Sequence, residues 1–214
     1  MPSAVIDPTY LWIAVALYCL AIIPALPSII DTMPVAAGCL LSWKESLSLS
    51  GSPSLRHIRN IAALSLTPAF ILLVWQYALY PPASACGERT LHGLLVCAGA
   101  VAGYALVHLL CRLVFRRKKT AAADYACAAQ MNLTFFFFCC SLMLLSWGVC
   151  SLCSVDCETM REIFLWEIGG VFALLLMRKL HFFSLRENFF KGFLYLCTLE
   201  FLPAGLLIAS AVVF

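Results

Sequence analysis

The sequence predicts an all-α fold: a polytopic membrane bundle of six transmembrane helices with both termini outside (N-out/C-out). Hydrophobic residues make up 63% of the 214 residues and charged residues only 12%, whereas a soluble domain is about 45–50% apolar and about 25% charged. Apolar runs of about 20 residues, the length needed to cross a bilayer, occupy most of the chain. Basic residues collect in alternate connections between these runs, a pattern that sets membrane orientation.

Six apolar segments have the length or composition of a membrane span. They are Tyr10–Ile30, Asn60–Tyr80, Leu91–Phe115, Met131–Cys153, Ile163–Leu180 and Phe190–Phe214. No stretch between them is long enough to bury a separate water-soluble core. We therefore predict one integral membrane domain over residues 1–214.

Two connections have distinctive compositions. The first, residues 32–59, contains the apolar stretch "VAAGCLLSWKES", which is too short to span and which we expect to lie in the membrane interface. The Ala-rich stretch "TAAADYACAAQ" precedes the fourth segment. Because alanine strongly favours helix, we expect this stretch to extend the fourth helix into the cytoplasm.

The charges between the segments predict one orientation. The first, third and fifth connections with their edges are basic, through Lys44, Arg56, Arg59, Arg116, Arg117, Lys118, Lys119, Arg178, Lys179, Arg186 and Lys191. The second and fourth pair each arginine with nearby acids, through Glu88, Arg89, Asp156, Glu158, Arg161 and Glu162. Short basic loops favour the cytoplasm, so the odd connections are predicted inside. A net charge of +3 in scattered clusters excludes the concentrated basic face of a nucleic-acid binder.

Twelve cysteines are present, and most lie inside predicted helices, where cysteine acts as a small polarisable hydrophobe. The stretch "CSLCSVDC", with Cys150, Cys153 and Cys157, instead falls at the outer end of the fourth helix, and Cys86 lies in the other outer connection. Free thiols, a structural disulfide and a redox pair all remain open for these four residues. We predict no metal site, since no histidine accompanies Cys150 in its connection.

Glycines in two helices have a spacing typical of helix contacts. Gly99 and Gly103 are four residues apart in the third segment, so they lie on one face and allow a neighbouring helix to approach closely. Gly169 and Gly170 in the fifth segment could form the facing surface. This pattern predicts helix packing and carries no chemistry.

Several ionisable side chains fall inside predicted helices, where a charged group costs about 2.5–3.5 kcal/mol on insertion scales. Counting about 1.5 Å per residue from the cytoplasmic edge places Glu200 about 15 Å deep, His108 about 12 Å deep and Glu167 about 18 Å deep. Arg112 lies one turn from His108 on the same face. We therefore expect His108, Arg112 and Glu200 to meet in the inner half of the membrane, with Glu167 nearer the midplane.

Pro203 follows Glu200 by one turn and predicts a break in the last helix. Proline removes the hydrogen bond to the carbonyl four residues earlier, so the helix should kink over Leu199–Pro203. An acid beside a broken turn is consistent with three roles. It can be a buried pair that fixes helix packing, a docking point for a partner subunit, or part of a proton or ion pathway.

The last segment also resembles a known family. Its stretch "FFKGFLYLCTLEFLPAGLL" is similar to the end of an uncharacterised Bacteroidota family of polytopic inner-membrane proteins, defined only as a domain of unknown function. The matching positions are Phe193, Leu194, Tyr195, Leu196, Cys197, Leu199, Glu200, Leu202 and Pro203. The resemblance implies a bacterial inner (cytoplasmic) membrane protein and implies no reaction.

The sequence contains no catalytic motif such as HExxH, GxSxG or a P-loop, so we expect no enzyme activity and no cofactor. We expect a non-enzymatic inner-membrane subunit or accessory factor of an envelope-assembly or protein-translocation complex. Its partners would be the lipid bilayer and other membrane proteins, and the residues identify no small-molecule substrate. The alternatives are a small proton- or ion-coupled transporter, for which Pro24, Pro27 and Pro203 supply helix breaks, and a membrane thiol redox protein.

Overall fold

The computed structural model describes residues 16–20, 22–41, 52–80, 91–115, 122–186, 193 and 196–205. All of the regular structure in these ranges is helical, which confirms the predicted all-α class. The long helices are α1 (Leu26–Leu41), α2 (Pro53–Gln76), α3 (Leu91–Phe115), α4 (Ala122–Leu152) and α5 (Cys157–Arg186).

The first predicted segment is tightened where its prolines fall. A 3-10 turn, Ile23–Ala25, has Pro24 near its start and joins the helical residues 16–20 and 22 to α1. Short 3-10 turns of this kind form connectors between helical stretches. Helix α1 then continues to Leu41, so the residues 35–41 that we expected in a separate interfacial helix instead prolong the first helix.

The other predicted boundaries hold to different degrees. The limits of α3 coincide with the predicted third segment, and α4 begins at Ala122, which confirms the Ala-rich extension. Helix α2 begins before the predicted Asn60 and ends before Tyr80. Four described stretches are long and apolar enough to cross a membrane: Ala16–Pro34, Ser54–Gln76, Leu91–Leu110 and Gln130–Leu152.

The last two predicted spans differ from these four. Helix α5 is 30 residues long but carries Glu167, Arg178 and Lys179 within the predicted span Ile163–Leu180, so composition alone does not identify it as a span. Of the predicted segment Phe190–Phe214, only residues 193 and 196–205 are described.

Helices α2 and α4 form the centre of the described structure. Helix α4 packs against α1, α2, α3 and α5, whereas α5 packs mainly against α4. Phe70 of α2 meets Phe136 of α4 edge-to-face with ring centroids 5.3 Å apart. A buried apolar cluster that includes Phe135, Met143, Phe164, Val171 and Leu175 fills the α4–α5 seam.

Contacts between helix ends show how the helices run. Arg59, near the start of α2, donates to the carbonyl of Gln130 in the first third of α4 (3.3 Å). Phe70 and Phe136 are in contact further along both helices, so these two helices are parallel. Tyr77, just after α2, packs edge-to-face on Phe164 near the start of α5, with centroids 5.1 Å apart. We call the end where α2 and α4 begin and α3 and α5 end the basic end. The opposite end, which holds Cys153 and Cys157, is the cysteine end.

A π turn, Cys197–Phe201, precedes Pro203. In it the Leu202 amide donates to the Cys197 carbonyl, five residues back, and one extra residue is accommodated in the turn. The regular α-helical hydrogen bonding is therefore interrupted beside Pro203 by a π turn, and the kink over Leu199–Pro203 stays a prediction. Among the side chains described in this segment, Leu196, Glu200 and Pro203 are buried.

Candidate functional site

A fully buried ion pair joins the last segment to α5. Lys179 donates to Oε1 of Glu200, and their side chains are 0% and 1% exposed. Asn132 of α4 donates to the same oxygen at 3.3 Å. A buried charge requires a partner and further hydrogen bonds, and here α4 and α5 supply both to one carboxylate.

His108 of α3 completes the cluster around Glu200. Its Nε2 lies 4.0 Å from Oε2 of Glu200, and its side chain is 17% exposed. The Tyr104 ring, one turn away, packs on the imidazole with centroids 4.5 Å apart. The expected meeting of His108 with Glu200 is therefore present, and the side chain of Arg112 lies outside the described part of the structure.

Lys179 reaches this site because of its position on α5. Val171, Leu175, Lys179 and Phe182 are all buried, and their spacing of three and four residues places them on one helix face. From the sequence, Lys179 is predicted to be one of the basic loop-edge residues that set membrane orientation. This prediction misses that its side chain points into the bundle. The same helical spacing in the sequence could have revealed it.

A second buried cation, Arg59, lies in the first third of α2. Arg59 is 1% exposed and donates to Oδ1 of Asn60, at 2.8 Å from Nη2, and to the Gln130 carbonyl. Thr134 donates to this same carbonyl at 3.2 Å. Gln130, Asn132 and Thr134 of α4 thus form a partly buried polar layer that contacts α2 on one side and the Glu200 cluster on the other.

Glu167 occupies a separate polar position toward the cysteine end. It accepts a hydrogen bond from the Ser146 hydroxyl across the α4–α5 seam. Twelve residues of α5 separate Glu167 from Lys179, a rise of about 18 Å. The apolar cluster around Met143, Val171 and Leu175 fills this interval, and a hydrogen bond spans only about 3 Å. No polar chain within the described seam connects the two positions.

The four glycines do not pack against one another within the chain. Gly99, Gly103, Gly169 and Gly170 are all exposed, and a Cβ added at any of them meets no described atom within 4 Å. The expectation that α3 and α5 face each other through glycine is therefore wrong, because each helix packs its other face on the α2–α4 centre.

The cysteines at the cysteine end divide into two kinds. Cys150 and Cys153 are free thiols, whereas Cys157 is disulfide-bonded. Cys86 lies outside the described residues. Cys150 sits in the last turn of α4 and Cys153 directly follows it. The redox alternative for Cys150 and Cys153 stays a prediction.

Asp156 caps the start of α5 beside these cysteines. The Thr159 amide and hydroxyl donate to its carboxylate at 3.0 and 2.8 Å, an arrangement that satisfies an otherwise unpaired amide of the first turn. These bonds, the amide's first, hold the pKa of the Asp156 carboxyl below its usual range. The connection therefore ends in a defined helix start.

Comparison of the chain with family models, with curated proteins and with solved structures gives no match. The fold and the site define the class directly. The chain is an all-helical protein with four described helices long and apolar enough to cross a membrane, and it holds a buried ionisable cluster between three of its helices and its last segment.

Proposed function

We propose that this protein is a non-enzymatic, multi-pass subunit or accessory factor of a larger complex in the bacterial inner membrane, serving envelope assembly or protein translocation. The observation that carries the proposal is the exposure of α3 and of its two glycines. This membrane-length helix has the smallest buried share of the four candidate spans and presents Gly99 and Gly103 on open surface. Small residues four apart let a second transmembrane helix approach closely, so α3 is suited to a membrane-protein partner.

A fifth span at α5 is part of this proposal. Its exposed face is apolar from Leu165 through Trp166 and Ala173 to Met177, while Glu167 and Lys179 are bonded to neighbouring elements. Residues 163–180 rise about 27 Å, close to the hydrocarbon thickness of about 30 Å. The charges that set α5 apart by composition are thus largely turned away from lipid. With the predicted last segment, the chain has six spans.

The arrangement of the ends supports the N-out/C-out orientation. The connections at the basic end carry most of the lysines and arginines, which favour the cytoplasm. At the opposite end Cys157 is disulfide-bonded, and disulfides persist in oxidising compartments such as the periplasm. Both observations favour the same orientation, and the resemblance of the last segment favours the inner membrane.

Purification in a mild detergent, with identification of co-purifying proteins, tests the subunit role. We expect a defined membrane partner that is retained by wild type and lost from the Gly99→Leu/Gly103→Leu variant, because two leucines block the close approach on α3. Ala173→Leu, at an exposed small residue of α5, is the matched control and should retain the partner. Loss in both variants, or a chain that purifies alone from its native membrane, contradicts the proposal.

A proton- or ion-coupled transporter is the second candidate, and the buried cluster of Glu200, Lys179 and His108 favours it. Intramembrane ionisable groups often mark ion and proton sites. The apolar interval of about 18 Å between Glu167 and Lys179 opposes a continuous path along the α4–α5 seam. His108→Gln leaves the Lys179–Glu200 pair in place. It should inactivate a transporter, whereas a subunit with this substitution should retain partner binding at α3.

A further inference from the structure

The two carboxylate oxygens of Glu200 have unequal surroundings. Oε1 accepts from Lys179 and Asn132, while Oε2 is buried without a hydrogen bond from the described residues. Nε2 of His108 lies 4.0 Å from Oε2, about 1 Å beyond hydrogen-bond length. A neutral imidazole has one nitrogen that only accepts, whereas a protonated imidazole donates from both nitrogens. Protonation of His108 would therefore give Nε2 a proton to donate to Oε2, whichever nitrogen carries the proton in the neutral ring.

His108 is placed to exchange a proton with water. It is seven residues from the end of α3, about 10 Å along the helix from the basic end. Its side chain is partly exposed, whereas Glu200 and Lys179 are fully buried. A proton can therefore reach the imidazole more readily than it can reach the carboxylate behind it.

We propose that His108 and Glu200 form a proton-binding site that fastens the last segment to α3. A proton from water binds His108 and stays on the imidazole, whose Nε2–H then donates a hydrogen bond to Oε2 of Glu200. Lys179 and Asn132 continue to donate to Oε1. No covalent bond breaks. Proton binding adds a third helix to the two that already hold Glu200. The proposal is independent of the subunit role, because it concerns contacts within this chain.

Among the described residues, the groups that face this site come from four helices. Helix α3 contributes Tyr104 and His108, α4 contributes the uncharged Asn132, and α5 contributes Lys179. From α2, the buried cation Arg59 donates to the Gln130 carbonyl of α4. Lys179 already bonds Oε1 of Glu200. A protonated His108 would be a second cation at the same carboxylate and would bond Oε2.

Cys197 provides a native reporter of the last segment. It is a free, half-buried thiol three residues before Glu200, and Cys153 is an exposed free thiol at the far end of the bundle. In the full chain in lipid nanodiscs, maleimide labelling of both can be followed by mass spectrometry. The ratio of the Cys197 rate to the Cys153 rate removes the general effect of pH on thiol reactivity.

We expect this ratio to fall by about tenfold between about pH 8 and about pH 5, where histidine titrates, since one charge-assisted hydrogen bond forms. His108→Gln and Glu200→Gln should each give a ratio that does not change with pH. Histidine NMR of the wild type provides a measurement that needs no variant, and one signal should titrate over the same range as the labelling ratio. A wild-type ratio that is flat, or a pH dependence that survives in both variants, overturns the proposal.

Discussion

At the scale of single residues, the account depends on where the charged groups point. Glu200 and His108 were predictable, because each lies too deep in an apolar run to stay without a partner. The burial of Lys179 and Arg59 was not predicted. A charged residue at the edge of an apolar run can be interpreted either as a loop residue or as a buried helix residue. Their helical spacing with buried neighbours such as Leu175 and Ala62 carries the information that separates these two interpretations.

Asn132 should contribute to holding Glu200 in place. We expect Asn132→Leu to lower the free energy of unfolding by about 1.5 kcal/mol, the lower end for a hydrogen bond to a charged group, because the Nδ2–Oε1 distance is a long 3.3 Å. Thr134→Val is the matched control, since that hydroxyl bonds only a carbonyl of its own helix among the described contacts and should change stability much less. Equal losses in an unfolding titration in detergent would contradict the assigned role of Asn132.

Asp156 predicts a pH dependence confined to the start of α5. Its pKa is lowered by the bonds from Thr159, so its stabilisation is present above the usual value of about 3.9 and is lost as pH falls through the lower folded value. The protection factors for amide exchange in the first turn of α5, which correct for the intrinsic change of the exchange rate with pH, should therefore fall below about pH 4. Asp156→Asn keeps a capping oxygen without titrating and should remove this pH dependence. The same fall in protection in that variant would exclude Asp156 as its source.

At the scale of elements, helices were predictable and their faces were less so. The limits of α3 follow from a sharp change between apolar and polar sequence at both ends. Helix α5 extends beyond the predicted segment Ile163–Leu180 at both ends. The glycine pairing of α3 and α5 failed because spacing shows which residues share a face and does not show which helix lies opposite.

The lipid-facing surface assigned to α5 makes a spectroscopic prediction. Trp166 is 81% exposed and Trp75 is 4% exposed. In variants that retain one tryptophan each, brominated lipids should quench Trp166 strongly and Trp75 weakly, because bromine quenches only within close contact of the indole. Weak quenching of Trp166, with accessibility to an aqueous quencher instead, would remove α5 from the membrane.

At the scale of the whole molecule, the buried ionisable groups of the described residues lie at two levels of the bundle. The larger level, from Arg59 through Gln130 and Asn132 to Glu200, joins α2, α4, α5 and the last segment toward the basic end. The smaller level, Ser146 and Glu167, joins α4 to α5 alone. Only the Glu200–His108 part of this arrangement was visible in the sequence, because the rest depends on which helices are neighbours.

The proposed orientation predicts which end is reached from outside. In spheroplasts, a membrane-impermeant maleimide should label the exposed Cys153 without permeabilisation. A cysteine placed by Ser184→Cys, at an exposed position near the end of α5, should be labelled only after permeabilisation. The reverse pattern would invert the bundle in the membrane.

The central claim is that the buried Lys179–Glu200 pair fastens the last segment to the bundle, and a double-mutant cycle tests it most directly. Lys179→Met and Glu200→Leu should each lower the free energy of unfolding by about 3–5 kcal/mol, because each leaves a buried charge without its partner, whereas the double variant should lie near wild type. The account therefore predicts strong coupling between the two sites. Two losses that simply add in the double variant would contradict it.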